Sequence, residues 1–108
     1  MRTAYHEALE ATRLDVVRLG ALAADAIHHA VASLERRDTA LAARVIARDD
    51  EVDRLYNRSI EALQEEMQND AGLVRAGTLM LFVLTSLERV GDRAQNIAWH
   101  TKEMLGTA

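Results

Sequence analysis

The sequence contains no cysteine and no proline, and it has only five glycines, two tyrosines, one tryptophan and one phenylalanine among 108 residues. Without cysteine, disulfides, thiolate metal sites and cysteine nucleophiles are excluded. Without proline, and with little glycine, few residues interrupt a long helix. The small number of aromatic and turn-forming residues also argues against a β-sandwich or a βαβ arrangement.

The sequence also lacks basic runs and long apolar runs. Its formal net charge is −4, so the attraction to phosphates that dominates nucleic-acid binding is missing, and we predict no nucleic-acid partner. The first residues, MRTAYHEALEATR, contain no apolar core of a signal peptide. No apolar run approaches the roughly 20 residues of a membrane span. We therefore expect a soluble, cytoplasmic protein that does not insert into a membrane.

The residues that are present favour helices. Apolar residues make up 49% of the chain and charged residues 28%, which suits one folded domain with one core. Apolar residues recur every three or four positions in the segments 3–36, 39–68 and 71–105, and this spacing predicts three amphipathic helices. The breaks are short and hold capping residues, Asp38 and Asp70. We predict an all-α, antiparallel three-helix bundle that forms a single domain over residues 1–108.

The third predicted helix has the most regular apolar pattern. Its expected core positions are Leu73, Ala76, Met80, Val83, Leu87, Val90, Ala94, Ile97, Thr101 and Met104. The segment 79–84, LMLFVL, is apolar on all sides, and a three-helix bundle buries only about one side of each helix. We therefore predict that the chain pairs into a six-helix homodimer or packs on a companion domain. The alternative is a wide apolar face with one or two exposed leucines.

Two pairs of acidic residues lie one helical turn apart, Asp49 with Asp53 and Glu88 with Asp92. Like charges at this spacing repel each other and destabilise a helix unless something compensates them. If Leu87 and Val90 mark the core direction, the second pair points largely away from the core. Carboxylate ligands suit cations such as iron, manganese, magnesium or calcium. The alternative is a solvated acidic surface with arginines nearby.

Other chemistry has less support. His28 and His29 follow Asp25, which loosely matches the carboxylate-x-x-histidine spacing of di-iron bundles, but the motif occurs once where two are needed, and surface histidines are the default interpretation. No Ser/His/Asp arrangement or glycine-rich phosphate loop is present. We therefore predict no enzymatic activity, with a carboxylate-bridged metalloenzyme as the least favoured alternative.

Two segments resemble the PhoU family of phosphate-signalling regulators. Residues 86–98, SLERVGDRAQNIA, resemble the family signature LERIGDxAxNIA, and residues 46–56, IARDDEVDRLY, resemble its other conserved block. Residues 81–83 fit the run before the signature, and the resemblance extends over nearly the whole chain.

The resemblance implies a fold, a set of ligands and a set of partners. The family fold is a tandem of two three-helix bundles whose acidic motifs hold multinuclear iron or zinc clusters. By that pattern the matching metal ligands are Asp49, Asp53, Glu88 and Asp92. The family represses the phosphate-starvation response and connects a phosphate ABC transporter to a sensor histidine kinase. This sequence holds one bundle, so two chains pairing would rebuild six helices. The alternative role is a metal-free structural adaptor of the same fold.

Overall fold

The computed structural model describes residues 2–107, with side chains from 5 to 106, and contains three long helices. Helix α1 is Arg2–Glu35, α2 is Thr39–Asn69 and α3 is Val74–Thr107, and a 3₁₀ turn at Ala71–Leu73 precedes α3. No strand occurs in the described part of the chain. The helices run up, down and up in a rod measuring 60 × 17 × 16 Å. The predicted all-α three-helix bundle is confirmed.

The first turn is fixed by hydrogen bonds at both helix ends. The Asp38 amide donates to the Ser33 carbonyl at 2.8 Å, and the Arg37 amide donates to the Leu34 carbonyl at 3.2 Å. This pair of bonds is a Schellman motif, and it requires a left-handed residue, here Arg37 with φ 54°. The Asp38 carboxylate then accepts the Leu41 amide at 3.0 Å. Asp38 is therefore the N-cap of α2, as the sequence predicts.

The second turn is organised by Asp70. Its amide donates to the Glu66 carbonyl at 3.0 Å and so closes α2. Its carboxylate accepts the Gly72 amide at 2.9 Å, which caps the 3₁₀ turn. The third predicted helix therefore starts at residue 71 as a 3₁₀ turn and becomes α-helical at Val74. Both turns are short, so consecutive helices pack as antiparallel neighbours.

The core changes in character along the rod. One part is filled by large side chains, with Leu19, Leu63, Leu73 and Leu84 fully buried. The other part is filled by small ones: Ala30, Ala42, Val45, Ala94 and Ala98. A hydrogen bond of 3.0 Å between the hydroxyls of Tyr56 and Thr85 links α2 to α3.

The predicted core stripe of α3 is wrong in its middle and near its end. Val83, Val90 and Met104 are exposed, whereas Gly77, Leu84 and Gly91 are buried. Glycine carries no apolar signal, so the apolar pattern alone turns the predicted stripe away from its true direction. Gly91 lies against α2, because a Cβ there would sit 3.0 Å from Val52 Cγ1. At this level of the bundle, the backbone of α3 therefore packs directly against a side chain of α2.

Large apolar side chains remain exposed along the side of the bundle shared by α1 and α3. On α1 they follow the row that contains Gly20. On α3, Leu79, Val83 and Val90 follow the row that contains Leu87, and Phe82 lies beside Leu79 at the outer edge. Leu87 Cδ1 lies 3.9 Å from where a Cβ on Gly20 would be. We call this surface the apolar face. Its exposed members are Val17, Val31, Leu79, Phe82, Val83 and Val90.

The segment 79–84 is only partly covered by the bundle. Leu84 is fully buried, whereas Phe82 is 65% exposed and Leu79 is 57% exposed. By length and composition alone, the helical stretch Ala71–Gly106, which joins the 3₁₀ turn to most of α3, is long and apolar enough to cross a membrane. Only a small share of its most apolar window is buried within the bundle. The same helix carries Glu88 and Asp92 in its second half.

Candidate metal centre

The four predicted ligands meet at the groove between α2 and α3, near the middle of both helices. Asp49 and Asp53 lie one turn apart on α2, and Glu88 and Asp92 lie one turn apart on α3. Asp49 occupies a position of the α2 core stripe and is only 7% exposed. Asp53, Glu88 and Asp92 are half-buried.

The expected outward direction of Glu88 and Asp92 is wrong. Because Gly91 rather than Val90 faces the core, Glu88 and Asp92 lie only about 60° and about 100° around α3 from the core direction, on the side of the helix that faces α2. The burial of both residues agrees with this rotation. The two acidic pairs therefore form one cluster in the groove between α2 and α3.

Three of the carboxylates converge closely. Asp49, Asp53 and Asp92 each offer one oxygen, and these three oxygens lie within 4.8 Å of one another. Glu88 is outside this group of three, but it shares a hydrogen bond with Asp92 when one of the two is protonated. The geometry therefore consists of a three-carboxylate core with Glu88 attached at its edge.

The cluster is electrostatically strained. The pKa of Asp49 is raised from 3.8 to about 6, first by burial and then by the charges of Asp53, Asp92 and Asp50. Burial, followed by the hydrogen bond with Asp92 and the neighbouring carboxylates, raises the pKa of Glu88 to about 7. Burial also raises the pKa of Asp53, with added repulsion from Asp92 and Asp50. The raised pKa values mean that all three carboxyl groups hold their protons more tightly than isolated carboxyl groups do.

No cationic side chain compensates this charge in the described region. The ion pairs recorded between residues 5 and 106 are Arg13 with Glu10 and Arg18 with Asp15, both on α1. The sequence-based alternative, in which nearby arginines neutralise the acids, therefore has no ion pair to support it. Asp49 Oδ1 is moreover fully buried and accepts no hydrogen bond.

The residues present fit a bound cation. A buried carboxylate oxygen without a donor is costly, and a cation would supply the missing charge and the missing partner together. Three to four carboxylate oxygens form a donor set for hard or borderline metal ions.

Sequence reasoning missed the role of Gly91. A side chain at this position would occupy the space beside Val52 and Asp49, since its Cβ would lie 3.5 Å from Asp49 Oδ1. The available signal was a glycine in a helix interior, between two acids, where an alanine would favour the helix by about 1 kcal/mol.

Comparison with known proteins agrees with this fold and these motifs. A family model described as the PhoU domain matches residues 16–101. The chain belongs to the PhoU family. The match includes both acidic pairs and most of all three helices.

Several PhoU proteins are about one-third identical to the chain over the aligned region. It is 34% identical to a phosphate-specific transport system accessory protein PhoU homolog of Caulobacter vibrioides, over 83% of this chain and 39% of that protein. It is 32% identical to the homolog of Zymomonas mobilis, over 74% of this chain and 34% of that protein. It is 33% identical to the homolog of Aquifex aeolicus, over 83% of this chain and 42% of that protein.

The match covers only a part of these PhoU relatives. The aligned region spans 34% to 42% of their length. No solved structure shows a significant match to the chain.

Proposed function

We propose that this chain is a regulator of phosphate uptake and phosphate-starvation signalling that acts through protein contacts and a carboxylate metal site. The relatives are named as accessory proteins of a phosphate-specific transport system, which supports a regulatory role rather than an enzymatic one. The proposed protein partners are the phosphate ABC transporter and a sensor histidine kinase. Such a regulator acts in the cytoplasm, as a single bundle domain over residues 1–108.

The metal site is supported by the convergence of three carboxylate oxygens within 4.8 Å of one another and by a buried oxygen of Asp49 that has no hydrogen-bond partner. Asp49, Asp53 and Asp92 are the central ligands, and Glu88 completes the set. Iron or zinc is the expected ion, in one or more sites, with magnesium, manganese and calcium as the other cations that suit these ligands. Binding would remove the repulsion that raises the pKa values of Asp49, Asp53 and Glu88.

Metal analysis and titration test this site. The protein is purified without chelator, analysed for bound metal, stripped with EDTA and titrated with Zn²⁺ and Fe²⁺. We expect Asp92→Asn to weaken binding by about 100-fold, since it removes a ligand. Asp50→Asn is the matched control, because Asp50 is an exposed neighbour of the cluster and should change affinity only slightly. If wild-type protein contains no metal after purification and binds none on titration, the metal site is refuted and the metal-free adaptor becomes the proposed function.

We further propose that the apolar face pairs with a second copy of the chain. The relatives are more than twice as long as the region they share with this chain. They are therefore long enough for a second bundle, and a second copy of this chain would take its place. Isolated exposed apolar side chains are normal on a protein surface, but six on neighbouring sides of two packed helices favour association.

Sedimentation measurements test the pairing. Phe82→Asp places a charge at the most exposed member of the apolar face, and we expect it to shift a dimer to monomer because the charge would be buried on association. Leu14→Asp is the control, since Leu14 is exposed on α1 but lies outside the apolar face. A wild-type chain that sediments as a stable monomer of 12.0 kDa at micromolar concentration would contradict the pairing.

A further inference from the structure

Gly91 lies in the interior of α3, directly before the proposed ligand Asp92, and it faces α2. Its backbone conformation does not require a glycine, because no glycine in the described chain has a positive φ and alanine is the better helix former. A Cβ at position 91 would lie 3.0 Å from Val52 Cγ1, closer than the roughly 3.5–4.0 Å at which carbon atoms pack. The missing side chain therefore permits α3 to approach α2 this closely.

Val52 cannot easily move out of the way of a side chain at position 91. It is 2% exposed, and a β-branched side chain in a helix has one strongly preferred rotamer. Gly77, which also lies on α3 and also faces α2, is different. A Cβ there would lie 2.6 Å from Met67 Sδ, but a methionine side chain is flexible and adapts its shape. A methyl group at position 91 would therefore displace the α3 backbone from α2, whereas one at position 77 would displace only Met67.

The spacing of α2 and α3 at this level also sets the spacing of the proposed ligands. Asp49 and Asp53 lie on α2 and Asp92 lies on α3, and their three oxygens lie within 4.8 Å of one another. Two oxygens bound to one Zn²⁺ are at most about 4.4 Å apart, since each lies about 2.0–2.2 Å from the ion. For Ca²⁺, with distances of about 2.3–2.6 Å, this limit is about 5 Å. A wider groove would therefore impair Zn²⁺ binding before it impairs Ca²⁺ binding.

We propose that Gly91 is a positioning residue of the metal site: it lets α3 lie close to α2, holds Asp92 near Asp49 and Asp53, and so favours small ions such as Zn²⁺. This role rests on the carboxylate site proposed above. A methyl group at position 91 would not obstruct the ligands themselves, because it would lie 3.5 Å from Asp49 Oδ1, an ordinary contact distance. Its effect on ion binding would come through Val52 and the spacing of the helices.

A double-mutant cycle between Gly91 and Val52 tests this role. Wild type, Gly91→Ala, Val52→Ala and the double variant are stripped with EDTA and titrated with Zn²⁺ and, separately, with Ca²⁺. We expect Gly91→Ala to lower Zn²⁺ affinity by about 10-fold and Ca²⁺ affinity by less than about threefold. In the Val52→Ala background the same substitution should change Zn²⁺ affinity by less than about threefold. Val52→Ala removes Cγ1 and leaves Cβ, which would lie 3.7 Å from the new methyl group.

Gly77→Ala is the matched control, because it adds the same methyl group to the same helix against the flexible Met67. Its Zn²⁺ affinity should stay within about twofold of wild type. Thermal unfolding in EDTA verifies that every variant is folded at the temperature of the titration. Val52→Ala by itself removes buried apolar groups. A loss of affinity that merely followed stability would therefore be larger in the double variant than in Gly91→Ala.

Each outcome decides a separate claim. If wild-type protein binds neither ion, the carboxylate site fails and the role of Gly91 fails with it. If wild type binds Zn²⁺ and Gly91→Ala binds it equally well, the carboxylate site stands and the role of Gly91 is refuted. A loss in Gly91→Ala that persists in the double variant also refutes it, since contact with Val52 would not be the cause. Equal losses of Zn²⁺ and Ca²⁺ affinity in Gly91→Ala would overturn the selection by ion size.

Discussion

Asp49→Asn should remove much of the pH dependence that the carboxylate cluster imposes on the stability of the metal-free protein. The perturbation removes one charge from a residue that is 7% exposed and keeps nearly the same side-chain volume. The prediction therefore concerns the strain of the cluster itself, before any metal binds.

The magnitude follows from the raised pKa. Folding shifts the Asp49 pKa from 3.8 to about 6, so the folded state binds a proton that the unfolded state has already lost between these pH values. Stability is full below the lower pKa and falls as pH rises through the upper one. The loss amounts to about 3 kcal/mol, as an upper bound for a single group. Glu88, whose pKa rises to about 7, adds a loss of the same sign at slightly higher pH.

Urea unfolding in EDTA, at about pH 4 and at about pH 7.5, measures this effect. Wild-type protein should be less stable at the higher pH. Asp49→Asn should lose about 2–3 kcal/mol less over the same interval, since its amide does not titrate. Any constant cost of an unsatisfied amide, about 1 kcal/mol or more, cancels in this comparison of two pH values.

A control and a metal arm make the test decisive. Glu51→Gln removes an exposed acidic charge two residues away, and its pH profile should run parallel to that of wild type. Saturating Zn²⁺ should stabilise wild type by about 2.7 kcal/mol at 100 times its dissociation constant, and Asp49→Asn by much less. Parallel profiles of wild type and Asp49→Asn in EDTA would refute the strained cluster.

Three further substitutions test the packing, each by urea unfolding at neutral pH. Arg37→Gly should stabilise the chain by about 1 kcal/mol, because glycine adopts the left-handed conformation of Arg37 without its Cβ cost; a loss would contradict the Schellman turn. Ser59→Ala should stabilise by about 1 kcal/mol, since the Ser59 hydroxyl is buried without a partner, whereas destabilisation would mean that the hydroxyl is bonded in solution. Leu84→Ala should destabilise by about 3 kcal/mol, because Leu84 is fully buried, and Leu79→Ala, at an exposed position, should change stability by less than about 0.5 kcal/mol.

The fold was predictable because its signals are local. The spacing of apolar residues gives three helices, and Asp38 and Asp70 mark the turns by side-chain capping, which depends on residues within a few positions of the cap. The predicted helix ends lie within two residues of the observed ones, except that residues 71–73 form a 3₁₀ turn before α3.

The orientation of α3 was not predictable from apolar spacing. Leu87 and Val90 dominate the local pattern, yet the core contact at this level is made by Gly91, whose lack of a side chain suits close packing against Val52. This is a tertiary effect, since it depends on what α2 presents opposite the glycine. The same effect hid the partial burial of Glu88 and Asp92.

The two surfaces described on α3 lie on opposite sides of one helix, and this restricts how the helix can change in evolution. Val83 of the apolar face and Asp92 of the cluster are nine residues apart, which is two and a half helical turns. Inserting or deleting one residue between them would rotate one surface by about 100° relative to the other. Substitutions can tune each surface independently, but the length of α3 between them is fixed. Length differences among family members should therefore fall in the turns around residues 36–38 and 70–73 rather than in this helix.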